Sequence, residues 1–134
     1  MTKQEFSRIR KALSKTQREL AELLGSSLKA IHSYEQGWRN IPVHVERQLF
    51  FMMTQRRGES VIQKPCWTIK KCPTEIKRQC PAWEFNAGKL CWFVNGTLCE
   101  GTVRKSWREK MEVCRSCEML SPLQDVFGED AVTL

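Results

Sequence analysis

Apolar residues recur every three or four positions through the first fifty residues, and this period predicts helices. In TKQEFSRIRKAL, Phe6, Ile9 and Leu13 share one face, and Thr2 with Glu5 fits a capping box. A second box, Thr16 with Glu19, opens TQRELAELLG. There Leu20, Ala21, Leu23 and Leu24 supply the buried face, and Gly25 stops the helix where a left-handed residue is wanted. SSLKAIHSYEQG starts a third helix, with Ser27 as cap, Ile31 and Tyr34 inward and Gly37 as the stop. A fourth begins near Pro42 and runs through VHVERQLFFMM. Phe50, Phe51, Met52 and Met53 are consecutive and so go right round that helix. Some of them are expected to face outward, in a dimer contact or against the second half of the chain.

Beyond residue 65 the period breaks and cysteines take over, at Cys66, Cys72, Cys80, Cys91, Cys99, Cys114 and Cys117. KSWREKMEVCRSCEML still reads as a helix, with a capping box at Ser106 and Glu109 and with Trp107, Met111, Cys114 and Cys117 on one inward stripe. GKLCWFVNGTLCEG reads as a hairpin closed by Asn95-Gly96. A two-residue loop pairs Val94 with Thr97, Phe93 with Leu98 and Trp92 with Cys99. Cys91 and Cys99 would then face opposite ways and not share one metal. The last stretch, SPLQDVFGEDAVTL, is net −3 and is expected to be a mobile tail.

Charge sharpens the division. The 134 residues carry a formal +7. Residues 1–65 hold 12 Lys+Arg against 6 Asp+Glu, whereas residues 66–134 hold 10 against 9. The basic excess belongs to the first half, as a polyanion partner there requires. No apolar run is long enough to span a bilayer, and MTKQEFSRIRK has no signal-peptide core, so a cytoplasmic setting is expected.

The positions Thr16-Gln17, Leu20-Ala21, Leu24-Gly25, Ile31, Glu35, Gly37 and Pro42 resemble the phage-repressor (Cro/cI, or xenobiotic-response-element) helix-turn-helix family over residues 5–50. The resemblance implies a homodimer that reads double-stranded DNA with its third helix in the major groove. Gln17 would cap onto backbone or base. Ser27, Leu28, Lys29, His32 and Ser33 would present the reading surface, with Lys29 toward guanine acceptors and Leu28 toward a thymine methyl. Arg18, Arg39 and Asn40 would hold phosphates. His32 and Tyr34 stand where that family often has Ser and Trp, and its common fifth helix has no counterpart by Arg57.

The second half resembles the cysteine-rich modules with two Cys-Trp pairs appended to bacterial sensor and chemoreceptor proteins. The carriers are Cys66-Trp67, Cys72, Cys80-Pro81-Ala82, Cys91-Trp92, Gly96-Thr97, Cys99, Lys110 and Cys114-x-x-Cys117. The resemblance implies a sensory or cofactor-binding role, and Glu118-Met119 depart from its aromatics. Seven cysteines are an odd number for a disulfide framework, and so small and polar a module needs a staple. His32 and His44 both lie in the first half, so metal ligands here would be all sulfur: Cys66, Cys72, Cys80, Cys91, Cys99, Cys114 and Cys117. That donor set admits an iron–sulfur cluster or structural zinc; metal-free redox thiols are the third possibility. With no histidine in the module, no catalytic residue is assigned and no enzyme is expected.

The expected architecture is mainly α. A four-helix helix-turn-helix domain (1–56) and a linker (57–65) precede a small irregular α+β cysteine module (66–119) and a mobile acidic tail (120–134). The expected function is transcriptional regulation, with the cysteine module sensing redox state, oxygen or metal. The alternative is a DNA-bound adaptor whose module is a constitutive zinc-stapled interaction domain.

Overall fold

In a computed structural model, the structure describes residues 1–61, 64–94, 97–98, 106–123 and 126, the side chains of 58–61 and 121–122 excepted. The chain divides into two compact units, Met1–Arg56 with Asp125–Leu134 and Arg57–Gln124. The described elements are helical, and none of those helices is long and apolar enough to cross a membrane.

The first unit follows its sequence closely. Helix α1 (Lys3–Ala12) and helix α2 (Gln17–Leu24) each begin with the expected reciprocal capping box, at Thr2/Glu5 and Thr16/Glu19. Each box satisfies two orphan backbone donors, with a cap of this kind contributing about 1 kcal/mol. Gly25 ends α2 at φ 65° and Gly37 ends helix α3 (Leu28–Gln36) at φ 77°, left-handed values that other residues adopt at a cost. Ser27 caps α3 by accepting from Ala30 N–H. Phe6, Ile9, Leu20, Ile31 and Tyr34 close the core, with the Phe6 and Tyr34 rings edge to face at 5.7 Å. Leu23, expected inward, is exposed, because the buried stripe of α2 is Leu20, Ala21 and Leu24.

Glu35 ties the three helices together. Arg10 of α1 donates to both of its carboxylate oxygens through Nε and Nη2, and Gln17 Nε2 donates to Oε2 at 3.2 Å. Arg10 also reaches the Lys15 carbonyl at 2.9 Å, which fixes the α1–α2 turn.

Helix α4 (Val43–Val61) overruns the expected linker 57–65 by five residues. Nothing in TQRRGESV breaks a helix outright, since the next proline is Pro65. Phe50 and Met53 are buried within the chain and so do not form an open dimer face; of that quartet Phe51 is exposed (41 %) and Met52 half-buried.

In the second unit three one-turn helices follow one another: α5 (Cys66–Ile69), α6 (Thr74–Lys77) and α7 (Pro81–Glu84). A 3₁₀ turn (Cys91–Phe93), helix α8 (Trp107–Cys114) and a 3₁₀ segment (Glu118–Leu123) complete it. The expected hairpin is corrected here, and with it the β component of the fold: Phe93 N–H donates to Leu90 C=O and Val94 N–H to Cys91 C=O, with no strand among the described residues. The reason is burial. Cys91 and Trp92 are both buried, and successive strand residues point to opposite faces, whereas a tight turn can bury neighbours together. Asn95, Gly96 and Cys99 lie outside the described residues, and the expected register with them. Helix α8 ends at Cys114, so the expected stripe holds for Trp107, Met111 and Cys114, whereas Cys117 is buried in the turn beyond it; Ser106 accepts from Glu109 N–H.

The expected mobile tail 120–134 is also corrected where it is described. Leu120 and Leu123 are buried three residues apart, and buried Val126 accepts from Arg8 Nη1 at 2.9 Å in the first unit. These apolar side chains interrupt the acidic stretch.

Glu35→Ala is expected to lower the unfolding free energy of the first unit by about 2 kcal/mol, between surface and buried ion pairs, because Arg10 and Glu35 are both half-buried. Chemical denaturation followed by far-ultraviolet circular dichroism measures this. A loss below about 1 kcal/mol would place Glu35 with surface pairs instead.

Candidate functional site

Two surfaces carry chemistry, one in each unit. In the first, α3 presents Leu28, Lys29 and His32 to solvent, with Arg39 and Asn40 exposed just beyond its end and Ser27 exposed at its start. Arg18 is exposed on α2. Ser33 does not join them. It is buried on the stripe Ala30, Ile31, Ser33 and Tyr34, and its hydroxyl donates to the Lys29 carbonyl at 2.9 Å. Gln17 is half-buried and held by Glu35. Sequence reasoning passed over Trp38, which is 72 % exposed and packs edge to face on His32 at 5.4 Å. Its signal was present: an indole between the Gly37 stop and Arg39 has no helix face to bury it.

The second unit contains a cavity of about 330 Å³. Four thiols line it, Cys66, Cys72, Cys80 and Cys91, together with Trp67, Trp83, Thr97, Lys70 and Lys77. The local sequence explains how four residues so far apart in the chain meet. Each one-turn helix begins or ends beside a cysteine: Cys66 opens α5, Cys72 follows it, and Cys80 caps α7 with Pro81 at its first position. Cys66 N–H donates to Gly88 C=O at 2.7 Å, which pins α5 to the segment leading into Cys91. A Cβ on Gly88 would lie 2.6 Å from the Trp67 ring and also collide with Pro65, so only glycine fits. Trp67 and Trp83 meet edge to face at 4.9 Å, and Lys77 Nζ sits 4.6 Å over the Trp83 ring. The tryptophans of this unit therefore divide: Trp92 and Trp107 are core, whereas Trp67 and Trp83 are cavity wall.

The sulfurs are not equivalent. A hydrogen bond with the Cys91 side chain, backbone N–H groups of Trp67 and Cys66, and the charge of Lys110 pull the Cys66 thiol down to about 7 against the opposing effect of burial. Burial pushes Cys72 up, helped by the neighbouring Cys80 and Cys66 sulfurs. Cys80 Sγ accepts from Leu98 N–H at 3.4 Å. Cys91 is shared, because it also lines a cleft of about 10 Å³ with Cys114 and Cys117. The structure thus gathers six of the seven candidate ligands around two spaces that share Cys91, and Cys99 lies outside the described residues. Among the described residues no three His, Cys, Asp or Glu side chains converge as a cage for a single ion. Four thiolates spread round a wider space suit a polynuclear group better than one tetrahedral ion. Lys110, buried on α8 with its ammonium on the Thr97 hydroxyl, was read in the sequence only as part of a pattern.

Gly88→Ala is expected to cost about 1–3 kcal/mol by overpacking against Trp67 and Pro65, read in chemical denaturation. In reduced protein at neutral pH, Cys66 is expected to be alkylated by iodoacetamide before Cys72, because the thiolate is the nucleophile. Its rate rises with pH through a midpoint of about 7, while that of Cys72 rises later. Peptide mass spectrometry distinguishes the two, and equal rates would mean that the Cys66–Cys91 bond does not form in solution. No protein-family model matches the chain, and neither a curated protein nor a solved structure matches it.

Proposed function

We propose that this chain is a sequence-specific, DNA-binding transcriptional regulator whose cysteine unit holds an iron–sulfur cluster and senses oxygen or redox state through it. The observation that carries the cofactor half is the meeting of four thiols on one cavity of about 330 Å³. The DNA half rests on the exposed face of α3, the basic excess of the first half and the resemblance to repressor-type helix-turn-helix domains.

In this reading Lys29 and Leu28 meet base edges, and Arg18, Arg39 and Asn40 meet phosphates. Trp38 adds an apolar contact beside them. Glu35 holds α3 at a fixed angle to α1 and α2, so that the reading side chains arrive in register. Two copies on a palindrome would double the contact set. In the second unit Cys66, Cys72, Cys80 and Cys91 would be the ligands. Trp67 and Trp83 wall the cavity beside them, and the Leu98 N–H on Cys80 Sγ is the kind of sulfur hydrogen bond that tunes such a site. A bound cluster supplies reversible one-electron chemistry and sensitivity to oxygen. Sensing then requires that operator affinity differ between the loaded and empty protein, a coupling free energy between the two sites.

Protein purified without oxygen is expected to be brown, with absorbance near ~400 nm that bleaches in air. A colourless protein with about one zinc per chain would favour the adaptor reading, with the cysteine unit a structural staple. On operators selected from a random DNA pool, Lys29→Ala is expected to weaken binding by about 1–3 kcal/mol and to relax the preference at one base position. Failure to select any sequence would remove the DNA half of the proposal. Equal operator affinity of loaded and empty protein would remove the sensing half.

A further inference from the structure

Lys110 is the most anomalous side chain of the second unit. It is 1 % exposed, on a helix whose other buried residues are Trp107, Met111 and Cys114. An ammonium taken out of water is costly unless an anion accompanies it. Among the described residues of this unit no carboxylate is buried; its buried polar residues are Thr97 and Lys110 alone. Lys110 Nζ donates to the Thr97 hydroxyl. That contact seats the charge at the cavity wall, because Thr97 is itself 1 % exposed and lines the cavity with Cys66, Cys72, Cys80 and Cys91. One helical turn further on, Cys114 shares the buried stripe of Lys110 and lines the adjoining cleft. Among the buried described residues of this unit, the groups able to carry negative charge are sulfurs.

We propose that Lys110 is the fixed countercharge of the thiol cavity: its ammonium, seated on Thr97, favours a negatively charged four-thiolate assembly there and raises the reduction potential of the cluster bound to it. The inference rests on the cofactor reading above. Its electrostatics have a definite sign. Adding one electron makes the assembly one charge more negative, and a buried cation stabilises that form more than the oxidised one. Replacing Lys110 by a neutral residue of similar length therefore lowers the potential.

The test is anaerobic reconstitution of the full chain with ferrous iron and sulfide, followed by spectroelectrochemical titration of wild type, Lys110→Met and Lys110→Arg. Lys110→Met is expected to lower the potential by at least about 59 mV, a tenfold shift of a one-electron equilibrium, or to fail to retain iron while folded by circular dichroism. Lys110→Arg keeps the charge and is expected to restore uptake and most of the potential. A loaded Lys110→Met protein with the wild-type potential would overturn the assignment and leave the cluster standing. Wild type that takes up no iron would overturn the cofactor reading, and the countercharge with it. Should Lys110→Met not fold, Thr97→Val decides: it removes the seat of the ammonium while keeping the charge. A lowered potential supports the proposal and an unchanged one refutes it.

Discussion

Glu35 is the joint on which the first unit turns. It sits on α3 yet takes two bonds from Arg10 of α1 and one from Gln17 of α2. Apolar burial alone would let three short helices slide and rotate past one another, because contacts between aliphatic side chains have little direction. A carboxylate shared by a guanidinium fork and an amide has a definite geometry. It sets the angle of α3, and so the position of every side chain that α3 shows to solvent. Capping boxes and left-handed glycines decide where the helices start and stop, and Glu35 decides how they lie.

The second unit solves a different problem. It has few aliphatic residues, so its packing falls to indoles, thioethers and thiols. Trp92, Trp107, Met111, Met119 and Leu120 form buried bulk, and Cys91, Cys114 and Cys117 are buried with them. Between Cys66 and Glu84 the chain folds as three brief turns of four residues each, and Cys66, Cys72 and Cys80 at or between them line one space. Glycine at position 88 lets the Trp67 ring approach the backbone, which closes that space on one side. A lysine is nevertheless buried here, and its ammonium donates to the Thr97 hydroxyl at the cavity wall, a partner that a hydrocarbon core would not offer.

Much of the first unit was legible because its signals are local. Thr2 with Glu5, Thr16 with Glu19, Gly25 and Gly37 act within one helical turn, and the sequence determines them without reference to the rest of the fold. The inward stripe Trp107, Met111 and Cys114 was legible for the same reason, since a helical period needs no partner to be read, but the period ran on to Cys117, which lies past the end of the helix. Ser33 was misplaced because the resemblance to repressor domains put it on the reading surface, whereas its hydroxyl satisfies itself on the Lys29 carbonyl and lets the residue enter the buried stripe. The Asn95-Gly96 signal suggested strands on both sides. Consecutive burial of Cys91 and Trp92, a tertiary demand, turned the upstream side into a 3₁₀ turn instead.

The sequence by itself determined the cast: a basic, capped, helical first half, a cysteine-rich second half and an all-sulfur donor set. It could not determine which thiols meet, because Cys66, Cys72, Cys80 and Cys91 are brought together by contacts between segments such as Cys66 N–H on Gly88 C=O, and no local period encodes those. Nor could it show that Lys110 is buried. A lysine on a helix is read as a solvated charge until the packing around it is known, and only the tertiary structure places it behind Thr97 beside the thiols.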